Sequence, residues 1–201
     1  MTDALMPEDD DQPRSMRDAR VRERRKAMLG LTHIIELTSF AAKLRERRPV
    51  PDFDPCDGGV NAQVLFFLDT PGPEAVKSEF VSSNNPDPTA ENMGDAWKQA
   101  GLKRCHVLLW NVVPHYVSKD TTDAQIREAI PDTQAFIDKL RNLKVVVFCG
   151  HKALMAKKHL RLPPNVVALS TCHTGAMAYN HFKRDIHDTF RTASRLLELL
   201  R

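Results

Sequence analysis

Residues 64–75 have the sequence VLFFLDTPGPEA, which joins a continuous apolar run to a turn that neither a strand nor a helix can continue. The five apolar residues 64–68 are typical of a strand buried on both faces of a sheet. The run ends at Asp69, and a proline-glycine-proline turn follows at residues 71–73. The stretch therefore predicts a core strand that carries a carboxylate at its carboxyl end.

Short apolar runs alternate with helical patterns along the rest of the chain. Three further runs predict strands at residues 107–110, 145–149 and 166–169. Helical periodicity predicts helices over residues 89–100, 122–140, 151–159 and 181–200. This alternation is typical of a parallel sheet that is covered on both faces. We therefore predict a single α/β domain with a central, mostly parallel four-stranded sheet flanked by helices on both faces.

The N-terminal region has an acidic part followed by a basic part. Acidic residues cluster at positions 8–11, and we expect residues 1–14 to form a disordered acidic tail. Residues 15–201 make up the predicted domain, which begins with a helical segment from Ser15 to about residue 48. Gly30 divides this segment, and its many arginines either contact DNA or form a solvated face.

The composition excludes several classes of protein. The 201 residues suffice for one domain with a sizeable core, and a net charge of +3 is not that of a bulk polyanion binder. There is no apolar run long enough to cross a membrane and no signal-peptide core, so we expect a cytoplasmic protein, and we expect it to be a monomer. The four cysteines are scattered without a C-x-x-C pair, which argues against a metal site. The common nucleotide-binding and nucleophile motifs are absent as well.

Polar residues stand at the points where the predicted strands end. Asp69 follows the first strand, Asn111 the second and His173 the fourth. The carboxyl ends of parallel strands meet at one edge of the sheet, where such proteins bind their ligands. Each residue alone has a structural explanation, as a turn cap, a partner for loop backbone or a polar loop position. Their convergence on one edge predicts a binding or catalytic site.

Taken in order, four stretches resemble the motifs of the uracil-DNA glycosylase superfamily: LDTPGPEA, SEFVSS, LLWNVVP and CHTGAMAYNHF. The likeness is closest to the branch whose first motif is G-E-A-P-G, and it covers roughly residues 60–190. It implies a DNA repair enzyme, a monofunctional uracil-DNA glycosylase that hydrolyses the N-glycosidic bond of a flipped uracil. The implied partner is uracil-containing DNA, in double-stranded form.

The chain departs from that branch at several positions. Leu68 replaces the glycine before the acid, and Thr70 stands where other branches carry Asp or Asn. The H-P-S loop of the family is His173-Thr174-Gly175 here. The cysteines do not follow the iron–sulfur pattern of the branch, so we expect no cofactor.

The resemblance implies two catalytic residues. Asp69 would orient the attacking water and balance the positive charge on the sugar. His173, if neutral, would donate a hydrogen bond to uracil O2, where negative charge develops. A lyase would need an amine nucleophile. The four motifs contain no lysine, although Lys152 lies near one of the predicted loops.

The resemblance also implies how the base is held. Asn111 carries a donor and an acceptor on one amide, which matches uracil O4 and N3–H. If neighbours fixed that amide, it would reject cytosine. Phe80 would stack on the flipped base, unless it belongs to the core. Free backbone amides near Thr70 and Gly72 would face the base.

A second group of residues would contact the DNA itself. Met177 occupies the place of the family's wedge, which fills the stack after the base leaves, although it could equally pack under the final helix. Hydroxyl and backbone groups of the last motif would hold phosphates. These residues are Ser170, Thr171, Thr174 and Gly175.

Three other functions stay open. The altered histidine loop is compatible with a protein of the same fold that binds damaged DNA with little turnover. Gly72 follows the proline of the turn, where some branches block the thymine methyl group, so excision of hypoxanthine or xanthine is a further alternative. A doubly wound enzyme that acts on free nucleosides is the third, and the wedge-like loop argues against it.

Overall fold

The computed structural model describes residues 8–200, and its centre is a four-stranded sheet in which all strands are parallel. The strands in chain order are β1 (Asp52–Phe53), β2 (Val64–Leu68), β3 (Phe80–Val81), β4 (Val107–Asn111), β5 (Val145–Cys149) and β6 (Val167–Thr171). The main sheet has the order β4-β2-β5-β6, while β1 and β3 form a separate parallel pair. The predicted α/β domain with a central four-stranded sheet is confirmed.

Seven α-helices surround the strands: α1 (Ala19–Met28), α2 (Ile35–Arg45), α3 (Pro73–Ser78), α4 (Pro88–Gln99), α5 (Asp123–Ile137), α6 (His151–Ala156) and α7 (Ala176–Leu199). The last helix begins at Ala176 rather than at residue 181, and non-helical angles at Phe182 (φ −119°, ψ 23°) kink it. The apolar periodicity in the sequence starts only beyond that kink. Within residues 8–200, every helix is too short or too polar to span a bilayer.

Two adjacent phenylalanines show how the helices cover both faces of the sheet. Successive side chains of a strand point to opposite faces. Phe66 packs against Trp97 of α4 and Phe190 of α7, with ring centroids 5.4 and 4.7 Å apart. Phe67 packs on the other face against Phe136 of α5, at 6.1 Å. Each buried ring contributes roughly 1.5–3 kcal/mol, so both layers are held by apolar burial.

The strand order places a topological switch point beside β2. The chain moves from β2 to its neighbour β4, and then crosses to the other side of β2 to form β5. Parallel α/β sheets bind ligands outside the carboxyl ends of the strands at such a point. Asp69 follows β2 there and Asn111 ends β4.

The acidic N-terminal segment differs from the expectation over residues 8–14. A 3-10 helix spans Glu8–Asp11, and Asp10 is buried against the domain. Its carboxylate pairs with Arg24, and its carbonyl accepts a hydrogen bond from Arg25 at 2.8 Å. The basic residues of α1 therefore hold this part of the predicted tail, while residues 1–7 lie outside the described residues.

A buried network of charges ties the N-terminal helix to the loops near β3. Asp54 accepts from Arg25 at 2.5 Å and from Arg104 at 2.6 Å, and Arg104 also reaches Asp57 at 2.8 Å. Although burial disfavours its charge, the two guanidinium groups lower the pKa of Asp54 to about 2. Burial raises the pKa of Asp57 to about 7, although the positive charge of Arg104 acts to lower it. Ser82 donates to Asp54 at 2.5 Å, which anchors the loop after β3.

Candidate active site

A cavity of about 340 Å³ lies at the carboxyl edge of the sheet, beside the switch point. Its polar lining includes Asp69, Asn85, Asp87, Asn111 and His173. A volume of this size is typical of a small-molecule site, as is a lining with a few convergent polar groups. Two larger cavities, of about 610 and 750 Å³, contain none of these five residues.

Strand pairing holds Asp69 and Asn111 next to each other. Asn111 is in register with Leu68, and the pairing continues beyond the strands through Val113, whose N–H donates to the Asp69 carbonyl at 2.8 Å. Two neighbouring backbones thus fix the acid and the amide on adjacent strand ends. The sequence placed both at strand ends, and the structure brings them into one cavity with His173.

The Asp69 carboxylate accepts one hydrogen bond from its own turn and one from the segment before α5. The Thr70 N–H donates to it at 2.8 Å, and the Thr121 hydroxyl lies at 3.5 Å. The expectation of a free amide at Thr70 is therefore wrong, since that amide already orients the acid. The Thr70 hydroxyl bonds to the His115 carbonyl at 2.6 Å, which ties the loop after β4 to the turn. Gly72 is exposed and is the N-cap residue that precedes α3.

His173 packs closely against the backbone of two glycines, where there is little room for a Cβ atom. A Cβ at Gly175 would lie 2.9 Å from Nδ1, and one at Gly150 (φ 96°) would lie 3.1 Å from the Cβ of His173. The Gly175 N–H donates to Nδ1 at 2.9 Å, so in the neutral ring the proton is on Nε2. Burial lowers the pKa of His173, and this outweighs the opposite effect of Asp69 and Asp87. His173 is thus a neutral hydrogen-bond donor in the cavity wall.

The Asn111 side chain is buried, and its amide oxygen is unpaired within the described part of the chain. Its side chain is 2% exposed, and its Oδ1 finds no partner among residues 8–200. An unpaired buried polar group costs about 1–3 kcal/mol, which a ligand would recover by bonding to it. Because no partner of Oδ1 within the described part of the chain fixes this amide, that atom is left for a ligand to bond.

Several cavity residues were not predicted from the sequence, among them Asn85, Asp87 and Tyr116. Asn85 belongs to the loop between β3 and α4, and its Oδ1 is buried without a partner within residues 8–200. Asp87 caps α4 by accepting from the Ala90 N–H at 3.0 Å, and burial raises its pKa. Tyr116 is 44% exposed at the cavity rim. Only a turn-like composition marks these residues in the sequence, which does not distinguish a site from an ordinary loop.

Phe80 does not line the cavity. Its side chain is fully buried in a small cluster with Met16 and Val21, because β3 pairs with β1 and the N-terminal segment covers the pair. The expected stacking contact of Phe80 with a base is therefore wrong for this arrangement. Tyr116 is instead the aromatic residue, apart from His173, that lines this cavity.

The residues expected to contact DNA differ in their exposure to solvent. Met177 is 82% exposed in the first turn of α7, as a wedge requires, so it does not pack beneath the helix. Ser170 is exposed, and it lies with Thr171 at the end of β6 rather than in a loop. Thr174 is fully buried, and its hydroxyl donates to the Thr89 carbonyl at 3.3 Å. The expected phosphate contact of Thr174 is therefore wrong. The Gly175 N–H donates to His173 Nδ1.

No group of three or more metal-ligating side chains occurs within residues 8–200. Three other acids near the turn are alternatives to Asp69 by sequence position: Asp54, Asp57 and Glu74. Asp54 and Asp57 pair with arginines and Glu74 pairs with Lys77, and none of the three lines the cavity. No protein-family model matches the chain, and no curated protein matches it either.

Proposed function

We propose that the protein is a monofunctional uracil-DNA glycosylase that acts on double-stranded DNA. One observation carries the proposal: a strand-end carboxylate, a neutral histidine donor and an unpaired buried amide line the same cavity at the switch point. A flipped base needs a polar pocket that reads its edge, and cleavage needs charge stabilisation on both fragments. The resemblance of the four motifs supports the same activity.

The reaction breaks the bond between C1′ of the deoxyribose and N1 of uracil. The electron pair leaves with the base, so the sugar becomes cationic and uracil anionic. Asp69, held by the Thr70 amide, stabilises the sugar and accepts a proton from the attacking water, whose oxygen bonds to C1′. The His173 Nε2–H donates to uracil O2, and one such donor is worth about 3–4 kcal/mol. The proton from water finally reaches the base, which leaves as neutral uracil.

Two further residues hold the base in this proposal. The unpaired amide of Asn111 bonds to the edge that carries O4 and N3–H. Tyr116 covers the base in place of Phe80, because it lines the cavity and is 44% exposed. Stacking of this kind is worth about 1–3 kcal/mol per base.

The first turn of α7 supplies the contact with the duplex. Met177 projects from it next to the His173 loop, and a long apolar side chain there can replace the extruded base in the stack. Lys183 and Arg184 follow on the same helix and add positive charge. These features support duplex DNA as the substrate.

The test is a product analysis with a labelled duplex that carries one U·G pair. The wild-type protein should release free uracil and leave an intact strand that breaks only after alkaline treatment. Asp69→Asn should bind the same duplex with similar affinity and release uracil at least about a hundredfold more slowly. Binding of the wild-type protein without release of uracil would refute hydrolysis and favour a damage-binding protein.

A second candidate is excision of a larger deaminated base such as hypoxanthine or xanthine. The observation that favours it is the open turn, where a Cβ placed on Gly72 would meet nothing within 4 Å. The same product analysis with a hypoxanthine duplex separates the two candidates.

A further inference from the structure

Asn85 is a buried amide in the cavity whose orientation is fixed. Its side chain is 2% exposed, and its Nδ2 donates to the Phe80 carbonyl at 2.9 Å. A carbonyl only accepts, so the end that faces Phe80 must be the NH₂ group. The other end, Oδ1, is an acceptor that has no partner within residues 8–200.

The surrounding loop prevents the Asn85 amide from turning over. Its backbone N–H donates to the Ser82 carbonyl at 3.3 Å, and Ser82 is anchored to the buried Asp54 at 2.5 Å. Rotation of the amide by 180° would place Oδ1 against the Phe80 oxygen and lose a hydrogen bond. Asn85 lines the cavity, and the one end of its amide that is left for a ligand is therefore an acceptor.

Asn111 lacks this constraint. Its Oδ1 has no partner within the described part of the chain, so no hydrogen bond to that atom fixes which way its amide faces. An amide whose orientation no partner fixes can bond to uracil and to cytosine, whose edges have opposite polarity. Asn111 thus adds affinity for a base, while discrimination requires a group that cannot adapt.

Deamination changes the base edge in a way that a fixed acceptor detects. Cytosine carries a lone pair at N3 and an amino group at C4, whereas uracil carries N3–H and a carbonyl. The change from adenine to hypoxanthine is the same at N1 and C6. An acceptor-only group gains a hydrogen bond from the deaminated base, and it meets a lone pair on the intact one.

We infer that Asn85, through its fixed Oδ1, reads the N–H that deamination adds to a base and thereby sets the preference for uracil over cytosine. The inference rests on the proposed function for its substrate class, since the cavity must receive a flipped base. It does not rest on turnover, because recognition by Oδ1 precedes bond cleavage.

The test is a binding measurement with bases that are not released. Duplexes carry a 2′-fluorinated deoxyuridine or deoxycytidine opposite a base-free linker, so base pairing does not bias extrusion. The wild-type protein should bind the uracil duplex about tenfold or more tightly. In Asn85→Ala this preference should fall to within about threefold of equal binding.

Two control variants test whether the preference for uracil depends on the Asn85 acceptor itself. Asn111→Ala should weaken binding of both duplexes and keep the wild-type ratio. Ser78→Ala removes another donor to the same Phe80 carbonyl, which Ser78 Oγ reaches at 3.2 Å, but it leaves the Asn85 acceptor in place, so its ratio should also persist. If melting curves show that Asn85→Ala does not fold, Asn85→Leu provides an acceptor-free side chain of similar shape.

A wild-type ratio retained in the acceptor-free variant would overturn the inference, and so would equal binding of both duplexes by the wild-type protein. If only Asn111→Ala lost the preference for the uracil duplex, the discrimination would belong to Asn111, and the inference would also be overturned. A protein that prefers the uracil duplex through Asn85 but never releases uracil would uphold the inference and refute the proposed hydrolysis.

Discussion

Substitution of His173 by phenylalanine would remove both ring nitrogens and keep a ring between the two glycines. The structure sets the expected magnitude. The Gly175 N–H occupies Nδ1 at 2.9 Å, so Nε2–H is the donor that the variant loses. A preorganised donor to a developing anion contributes about 3–4 kcal/mol, which corresponds to a fall of roughly 10²–10³ in the rate of base release.

Single-turnover kinetics with a U·G duplex measure that rate without interference from product release. Because the donor acts mainly in the transition state, the dissociation constant should change by less than about fivefold. The matched control is His159→Phe, which alters an exposed histidine outside the cavity lining and should keep the wild-type rate. A rate loss below about fivefold for the His173 variant, or a loss confined to binding, would refute the assigned role.

The pH dependence of the rate tests the same residue from another direction. As the pH falls through the pKa of His173, the ring gains a proton at Nδ1, which then confronts the Gly175 N–H. Because burial lowers that pKa, the neutral form persists below the ordinary value of about 6.5, and activity should be lost only below it. A loss of rate with its midpoint above pH 6.5 would contradict the assignment. So would a loss of rate at low pH that is unchanged in the phenylalanine variant.

Three other predictions concern the rim, the wedge and the buried charges. Tyr116→Ala should weaken binding of a single-stranded uracil oligonucleotide by about 1–3 kcal/mol, and an unchanged dissociation constant would exclude stacking. Met177→Ala should slow uracil release from duplex about tenfold while release from single strands stays near wild type, and an equal effect on both would exclude a wedge. Arg104→Ala leaves buried carboxylates short of a partner, so urea denaturation should show a loss of about 3–5 kcal/mol in the free energy of unfolding. Arg47→Ala removes an exposed ion pair and should cost less than about 1 kcal/mol, and similar costs for both variants would contradict the buried network.

The strands and the principal site residues were predictable because both depend on local patterns. A run of five apolar residues such as 64–68 has few alternatives to a buried strand, and the observed bounds of β2 are the predicted ones. The ends of parallel strands share an edge, so Asp69 and Asn111 were expected at the same edge of the sheet. Their adjacency follows from the pairing of β2 with β4. His173 followed from the same rule.

The remainder of the site depends on contacts between distant parts of the chain. Asn85 faces the cavity because Ser82 is tied to Asp54, which in turn is held by Arg25 of the N-terminal helix. Phe80 was misplaced because a two-residue strand has no periodicity that would show which side it buries. The side chain that covers it, Met16, lies far away in sequence.

The most direct test of the central claim is a single-turnover excision assay on matched duplexes with U·G, U·A, T·G or hypoxanthine, together with single-stranded uracil. A glycosylase with this cavity should release uracil from both U·G and U·A and leave a strand that alkali cleaves. Release of hypoxanthine in addition would extend the activity to the second candidate substrate. Failure to release any base, with no preference in binding for uracil-containing DNA, would contradict the assignment of the cavity to a flipped base.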